Sequence, residues 1–277
     1  MSSFKIRTDL ALEARENMDD AAEECRGVSV EEEYDQKSEI RITRVVIETK
    51  NGAKAMGKPI GTYITLEAPA MALPDEDYHQ EIAGELARQL RRIIPGLEGE
   101  QSVMVVGLGN RDVTADALGP NVVDNLIITR HMVKEYGKAA YNQNRIHMIS
   151  GLIPGVMAKT GMESQEIIKG VVEQTKPDVV VVIDALAARS TKRLNRTIQV
   201  TNTGIHPGSG VGNNRNAITK EALGVPVIAI GVPTVVDAAT IVNDALERMM
   251  RQAGEEPIKL KEELWHSLGE LYNMYVT

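Results

Sequence analysis

Two aspartates stand where acid–base chemistry needs carboxylates. Asp184 follows the unbroken apolar run Val179-Val180-Val181-Val182-Ile183, so a buried strand would carry its side chain to the strand's carboxyl edge. Asp116 lies in the loop leaving a second apolar run, SVMVVGL at 102–108, just ahead of ALGPNVVDNL, which reads as a helix. The stretch between them has the length of a strand–helix–strand–helix–strand excursion that returns to one sheet edge. Two carboxylates meeting there can share a proton, because each charge raises the other's pKa. The pair then supplies a general acid and a general base around one water, the minimum equipment for metal-free amide hydrolysis. From spacing alone, helix capping accounts for both residues more simply. Asp112 and Asp237 compete for the same role, and two acids with a histidine also fit a metal site.

The remaining motifs are weaker. Gly52 to Lys58 has the G-x-x-x-x-G-K spacing, but Pro59 stands where a Ser or Thr would reach magnesium and a strand follows. That stretch reads as a plain hairpin turn. Gly107-Leu108-Gly109 opens like a dinucleotide fingerprint, yet Asp112 occupies the third glycine position, and Asp112 and Asp116 would repel a pyrophosphate. The sequence contains no H-E-x-x-H and no G-x-S-x-G, and Cys25 sits in the acidic DDAAEECRG with no electropositive neighbour to activate it. The five histidines are scattered. His206 is the least ordinary of them, in TNTGIHPGSGVGNNRNA, a Gly/Asn-rich loop of the kind that either binds something or simply turns.

These residues need a scaffold, and composition bounds it. With 43% hydrophobic residues over 277 positions the chain can bury a sizeable core, built from aliphatic side chains because aromatics make up only 3%. A formal charge of −8 and so few stacking platforms argue against direct nucleic-acid binding. One cysteine excludes an intrachain disulfide and suits a reducing setting. The N-terminus lacks a signal-peptide apolar stretch and no segment has the length of a membrane span, so a cytoplasmic-type protein is expected.

Residues 1–38 read as a peripheral, weakly anchored arm. EIRITRVVIET and GTYITLEAP alternate as strands, and 76–92 has helical periodicity. SVMVVGL, RIHMIS, PDVVVVIDAL and GVPVIAIGV then read as strands, with TIQV as an edge strand. ADALGPNVVDNLIITRHMV, ESQEIIKGVVEQT and TVVDAATIVNDALERMM read as the intervening helices. The expected fold is α/β, with a mostly parallel sheet covered by helices on both faces and functional groups at the strands' carboxyl ends.

Several blocks together resemble the germination protease family of spore-forming bacteria: RTDLALEA, GTYITLEAP, VVGLGNRDVTADALGP, GLIPGVMAKTGMES, VVVVIDALAARS, TNTGIHPGSGVGNNR and GVPVIAIGVPTVVDA. They follow the family's order over roughly residues 7 to 245. The resemblance implies a three-layer α/β/α phosphorylase/hydrolase-like fold related to hydrogenase-maturation peptidases, and an atypical aspartic-type endopeptidase acting without a cofactor or metal. It implies Asp116 and Asp184 as the essential pair, small acid-soluble DNA-binding spore proteins as substrates, a homotetramer, and location in the spore core.

It further implies a self-processing zymogen, with residues 1–9 as propeptide, cleavage between Asp9 and Leu10 in Thr8-Asp9-Leu10-Ala11, and a peptidase domain over 10–277. The family's C-terminal tail is expected to be absent or shortened. In this setting Gly204, His206, Gly208 and Gly210 become a candidate substrate or oxyanion loop. Two other functions remain open at this level: a metal-dependent maturation peptidase of related fold, and a nucleotide- or nucleoside-binding transferase.

Overall fold

Runs of Val and Ile too apolar for a solvated strand zip into one sheet in the computed structural model, which describes residues 10–16, 27–137, 146–208, 215–253 and 274–277. The strands are β1 (Val28–Tyr34), β2 (Arg41–Ile47), β3 (Gly61–Glu67), β4 (Ser102–Gly107), β5 (Met148–Leu152), β6 (Val179–Ala188), β7 (Thr197–Thr201), β8 (Val227–Asp237) and β9 (Tyr275–Val276). Their order is β1-β2-β3-β7-β8-β6-β4-β5, with β9 added beside β8. The helices are α1 (Ala11–Glu16), α2 (Lys50–Met56), α3 (Glu76–Ile93), α4 (Leu118–Asp124), α5 (Arg130–Tyr136), α6 (Met157–Thr160), α7 (Ser164–Thr175), α8 (Lys220–Leu223) and α9 (Ala238–Gln252).

Strand β6 shows why this works. Val179, Val181 and Ile183 pack on one face beneath α3 and α4, while Val180 and Val182 pack on the other beneath α7 and α8. Each such side chain contributes about 1.5–3 kcal/mol on burial, so a strand covered on both faces needs no polar alternation. A third cluster, around Ala11, Val45, Met56 and Tyr63, carries α1 and α2 on the same face as α7.

The sheet is mixed rather than mostly parallel. Only β5-β4, β4-β6 and β6-β8 are parallel pairs, and the β1-β2-β3-β7-β8 half and β9 are antiparallel. Strand β1 is hidden in the sequence by Glu31, Glu32 and Glu33, which are exposed on an edge strand where Glu33 pairs with Arg88 and Arg92. Strand β7 lies inside the sheet between β3 and β8 with all five residues buried, so it is not an edge strand. Two of its polar side chains find partners, Gln199 accepting from Ala11 N–H and Thr201 bonding Thr203, whereas the buried Thr197 hydroxyl has none.

Other boundaries also differ from expectation. The segment 50–56 connects the antiparallel β2–β3 hairpin as expected, but as a short helix rather than a plain turn, capped by Thr49 Oγ1 on Gly52 N–H (3.1 Å) and closed by Gly57 at φ 62°. The single helix expected over 115–133 breaks after Asp124, where Thr129 turns to bond β5 through His147 O and Ile149 N–H. Strand β8 continues through Asp237, because Val235 and Val236 still pair with Ala187 and Ala188 of β6, so α9 starts later than Thr234.

The arm is anchored from residue 10. Leu10 and Ala11 are fully buried, and the Glu13 carboxylate accepts from Arg189 N–H (2.9 Å), Ser190 N–H (3.1 Å) and the Arg193 guanidinium (3.3 Å). Asp9, Cys25 and Gly210 lie outside the described residues.

Candidate active site

The ladder between β4 and β6 runs one step past Gly107: Leu108 N–H donates to Ile183 O at 2.9 Å, immediately before Asp184. The chain then doubles back. Asp116 N–H donates to Val113 O (2.8 Å), Val113 N–H to Asn110 O (3.1 Å), and Asn110 N–H to Asp116 Oδ2 (2.7 Å). A 3-10 turn at Thr114–Asp116 is tied to β8 by Thr234 Oγ1 donating to Ala115 O (2.6 Å). Strand ends β4, β6 and β8 therefore fix this loop together.

The glycines serve this closeness. A Cβ on Gly109, at φ 108°, would overlap the carbonyl oxygen of Asp116, and a Cβ on Gly107 would overlap that of Gly119. Gly107 and Gly109 thus allow the loop and the start of α4 to press onto the strand ends, which is a packing role rather than a phosphate cradle.

Asp116 and Asp184 both line one cavity of about 620 Å³. Asp184 is buried, with 6% of its surface exposed, and its Oδ1 accepts from Ala185 N–H at 2.9 Å. Burial pushes the Asp116 carboxyl above its ordinary range, opposed by the Asn110 N–H, which favours the charged form. Gly204, His206 and Gly208 line the same cavity, with His206 exposed. Gly204, at φ 78°, is needed because a Cβ there would overlap Ile218 O, across the bridge joining Ile205 to Ile218.

The competing acids lie elsewhere. Asp112 is exposed and ion-paired with Lys159, whose hydrogen bond and charge hold its carboxyl below the ordinary range. Asp237 ends β8 opposite Tyr275 and is not part of the cavity wall. Leu10 is buried outside the wall. Among the described residues no group of three or more His, Cys, Asp or Glu is arranged to hold a metal ion, and no helix is long and apolar enough to cross a membrane.

The family model for germination protease matches residues 6–271. The chain belongs to the germination protease family. It is 52% identical to the germination protease of Caldanaerobacter subterraneus subsp. tengcongensis, over 92% of this chain and 76% of that relative. It is 43% identical to those of Bacillus mycoides and Bacillus cereus, over 92% of this chain and 70% of each. Members of this family are endopeptidases, and the chain is a peptide-bond hydrolase.

In this germination protease homologue the cavity also contains residues the sequence did not single out. Gln199 is buried in the wall; Glu163, at the start of α7, faces Arg215 at 3.7 Å; and Lys58 and Tyr275 contribute further. Tyr63, almost fully buried, donates its hydroxyl to Pro59 O (2.8 Å), and burial pushes its pKa up to about 12. A Gln amid TIQVT was the one available signal for Gln199, and only the long-range strand pairing gives it meaning.

Proposed function

We propose that the chain is an aspartic-type endopeptidase whose Asp116 and Asp184 act as a dyad on one water, beginning the degradation of small acid-soluble spore proteins in the spore core. The observation that carries this is their placement: two carboxylates from separate chain segments line one cavity, brought together by the Leu108–Ile183 hydrogen bond. Asp116, whose pKa burial raises, is the proton holder. Its Oδ2 takes the Asn110 N–H, which leaves Oδ1 to carry the proton. Asp184 is the base that takes a proton from water as the oxygen attacks the scissile carbonyl, and Asp116 delivers its proton to the departing nitrogen.

The Gly204–Gly208 loop, which lines the same cavity, offers polar backbone to the substrate. The arrangement suits a three-layer phosphorylase/hydrolase-like fold of the hydrogenase-maturation peptidase kind. Processing between Asp9 and Leu10 releases residues 1–9. Because Leu10 and Ala11 are buried, that cut requires the segment to leave its seat or to be cut before it docks. Exposed Ile127, Tyr136 and Met249 supply apolar surface for a homotetramer, which light scattering would reveal.

The test is mass spectrometry of a basic small acid-soluble spore protein incubated with the chain lacking residues 1–9. A single early cut between an acidic and a large apolar residue is expected, absent with D116N. An intact substrate with the parent would defeat the proposal.

A further inference from the structure

Arg215 brings a permanent positive charge to the wall of the cavity that holds the dyad, and it leaves most of its donors unused. Its backbone N–H donates to Pro207 O (3.2 Å), which fixes the base of the side chain beside the Gly204–Gly208 loop, and the side chain is 31% exposed. A guanidinium carries five N–H donors in a planar fork and no acceptor. Here only Nη1 is engaged. It lies 3.4 Å from Met157 Sδ, a weak acceptor, and 3.7 Å from Glu163 Oε1, beyond hydrogen-bond reach. Among the described residues Nε and Nη2 meet no acceptor.

The carboxylates nearby do not account for this cation. Glu163 is the N-cap of α7 and closes a reciprocal capping box with Glu166, whose side chain takes the Glu163 N–H at 2.9 Å. Its carboxylate serves the helix and holds Arg215 only at ion-pair distance. Asp116 forms no ion pair with Arg215: its carboxyl answers to burial and to the Asn110 N–H. Lys58, also in the wall, already has an interaction of its own. The open edge of the guanidinium offers Nε–H and Nη2–H side by side, the spacing that matches the two oxygens of a carboxylate. Val156, Ile205 and Ile230 supply apolar wall around it, so a charge pair formed there is weakly screened.

Resting on the endopeptidase reading above, we infer that Arg215 is a specificity-determining residue: its Nε and Nη2 edge takes an acidic side chain of the peptide beside the scissile bond while the dyad works on the carbonyl. The cut proposed for this chain, Asp9–Leu10, has an acid in that place. A neutral amide of the same size cannot replace it, because it presents one acceptor instead of two and no charge.

The test compares two peptides, capped at both ends and identical except for Glu-Leu-Ala against Gln-Leu-Ala, on the parent, R215Q and R215K, each as the full chain and without residues 1–9. The parent is expected to favour the Glu peptide about 10–100-fold in kcat/KM. R215Q should bring that ratio within about threefold, and R215K should fall between them, since it keeps the charge and loses the fork. An Arg215 that merely braces the loop through Glu163 slows both peptides equally and leaves the ratio unchanged, and that result overturns the inference. So does a parent without a preference, or one that shows it only for peptides with a free terminal carboxylate; neither touches the endopeptidase reading. Binding is read separately, by fluorescence polarisation of the labelled peptides on D184N and on D184N combined with R215Q. A parent that cleaves neither peptide defeats the endopeptidase reading. A binding preference for Glu that R215Q abolishes then still supports the role of Arg215, whereas binding of neither peptide, or of both equally, overturns it.

Discussion

Glu13 provides a severe quantitative test of how the N-terminal segment is held. Its carboxylate is 1% exposed and accepts three hydrogen bonds, from Arg189 N–H, Ser190 N–H and the Arg193 guanidinium; Arg193 also bonds Glu67 at 3.1 Å. Removing one partner of a buried ion pair costs about 3–5 kcal/mol. Because Arg193 keeps Glu67, the charge contribution belongs at the low end of that range. The two backbone N–H groups left behind would cost about 1–3 kcal/mol each if dry, but water entering the space vacated by the side chain hydrates them, so they add little. Glu13→Ala should therefore lose about 3–5 kcal/mol, and Glu13→Gln about half as much, since its amide oxygen can still accept. At about 2–4 °C per kcal/mol for a domain near this size, the Ala variant should melt roughly 10 °C lower. Urea titration gives the free energy directly, with exposed Glu31→Ala as a control expected within about 0.5 kcal/mol of the parent. A loss below about 1 kcal/mol for Glu13→Ala would show that the segment is a loose arm after all.

Two further outcomes follow from the geometry around the dyad. Gly119→Ala would place a Cβ on the Leu108 carbonyl and 2.6 Å from Ile183 O, backbone atoms that cannot rotate away; a stability loss of about 1–3 kcal/mol with at least a ~10-fold drop in kcat/KM is expected, read by thermal melting and peptide cleavage. Asp116→Asn tests the raised pKa: the folded parent holds this proton more tightly than the unfolded chain, so the group's stabilisation is complete below the ordinary carboxylate range and is lost as pH rises through the raised value. The Asn variant escapes that loss, so it should melt above the parent at about pH 8 and lose the advantage near pH 3, as differential scanning calorimetry would show.

What the sequence made legible was local. The apolar run 179–183 is buried on both faces and can hardly be anything but a central strand, so Asp184 could be placed at its carboxyl edge from pattern alone. Helices α3 and α7 follow their 3.6-residue periodicity within a residue or two. The misreadings share a cause, which is that distant partners decided the conformation. Glu13 is buried because Arg189 and Ser190, far along the chain, meet it; Gln199 and Thr201 are interior because β3 and β8 flank β7; and Glu31–Glu33 are tolerated in a strand because that strand is an edge. Gly52 and Gly57 look like turn residues, but one lies against Gly27 and the other closes α2. For Asp116, sequence supplied the loop and the structure supplied the fold-back through Asn110 that aims it.

The most direct test of the dyad is a double-mutant comparison of kcat/KM for D116N, D184N and the combined variant, each checked for native circular dichroism. Two groups acting as one unit predict a fall of at least ~10³ for either single change and little further loss in the double. A single variant keeping more than about a tenth of the parent's activity, or losses that multiply in the double, would contradict the shared-water mechanism.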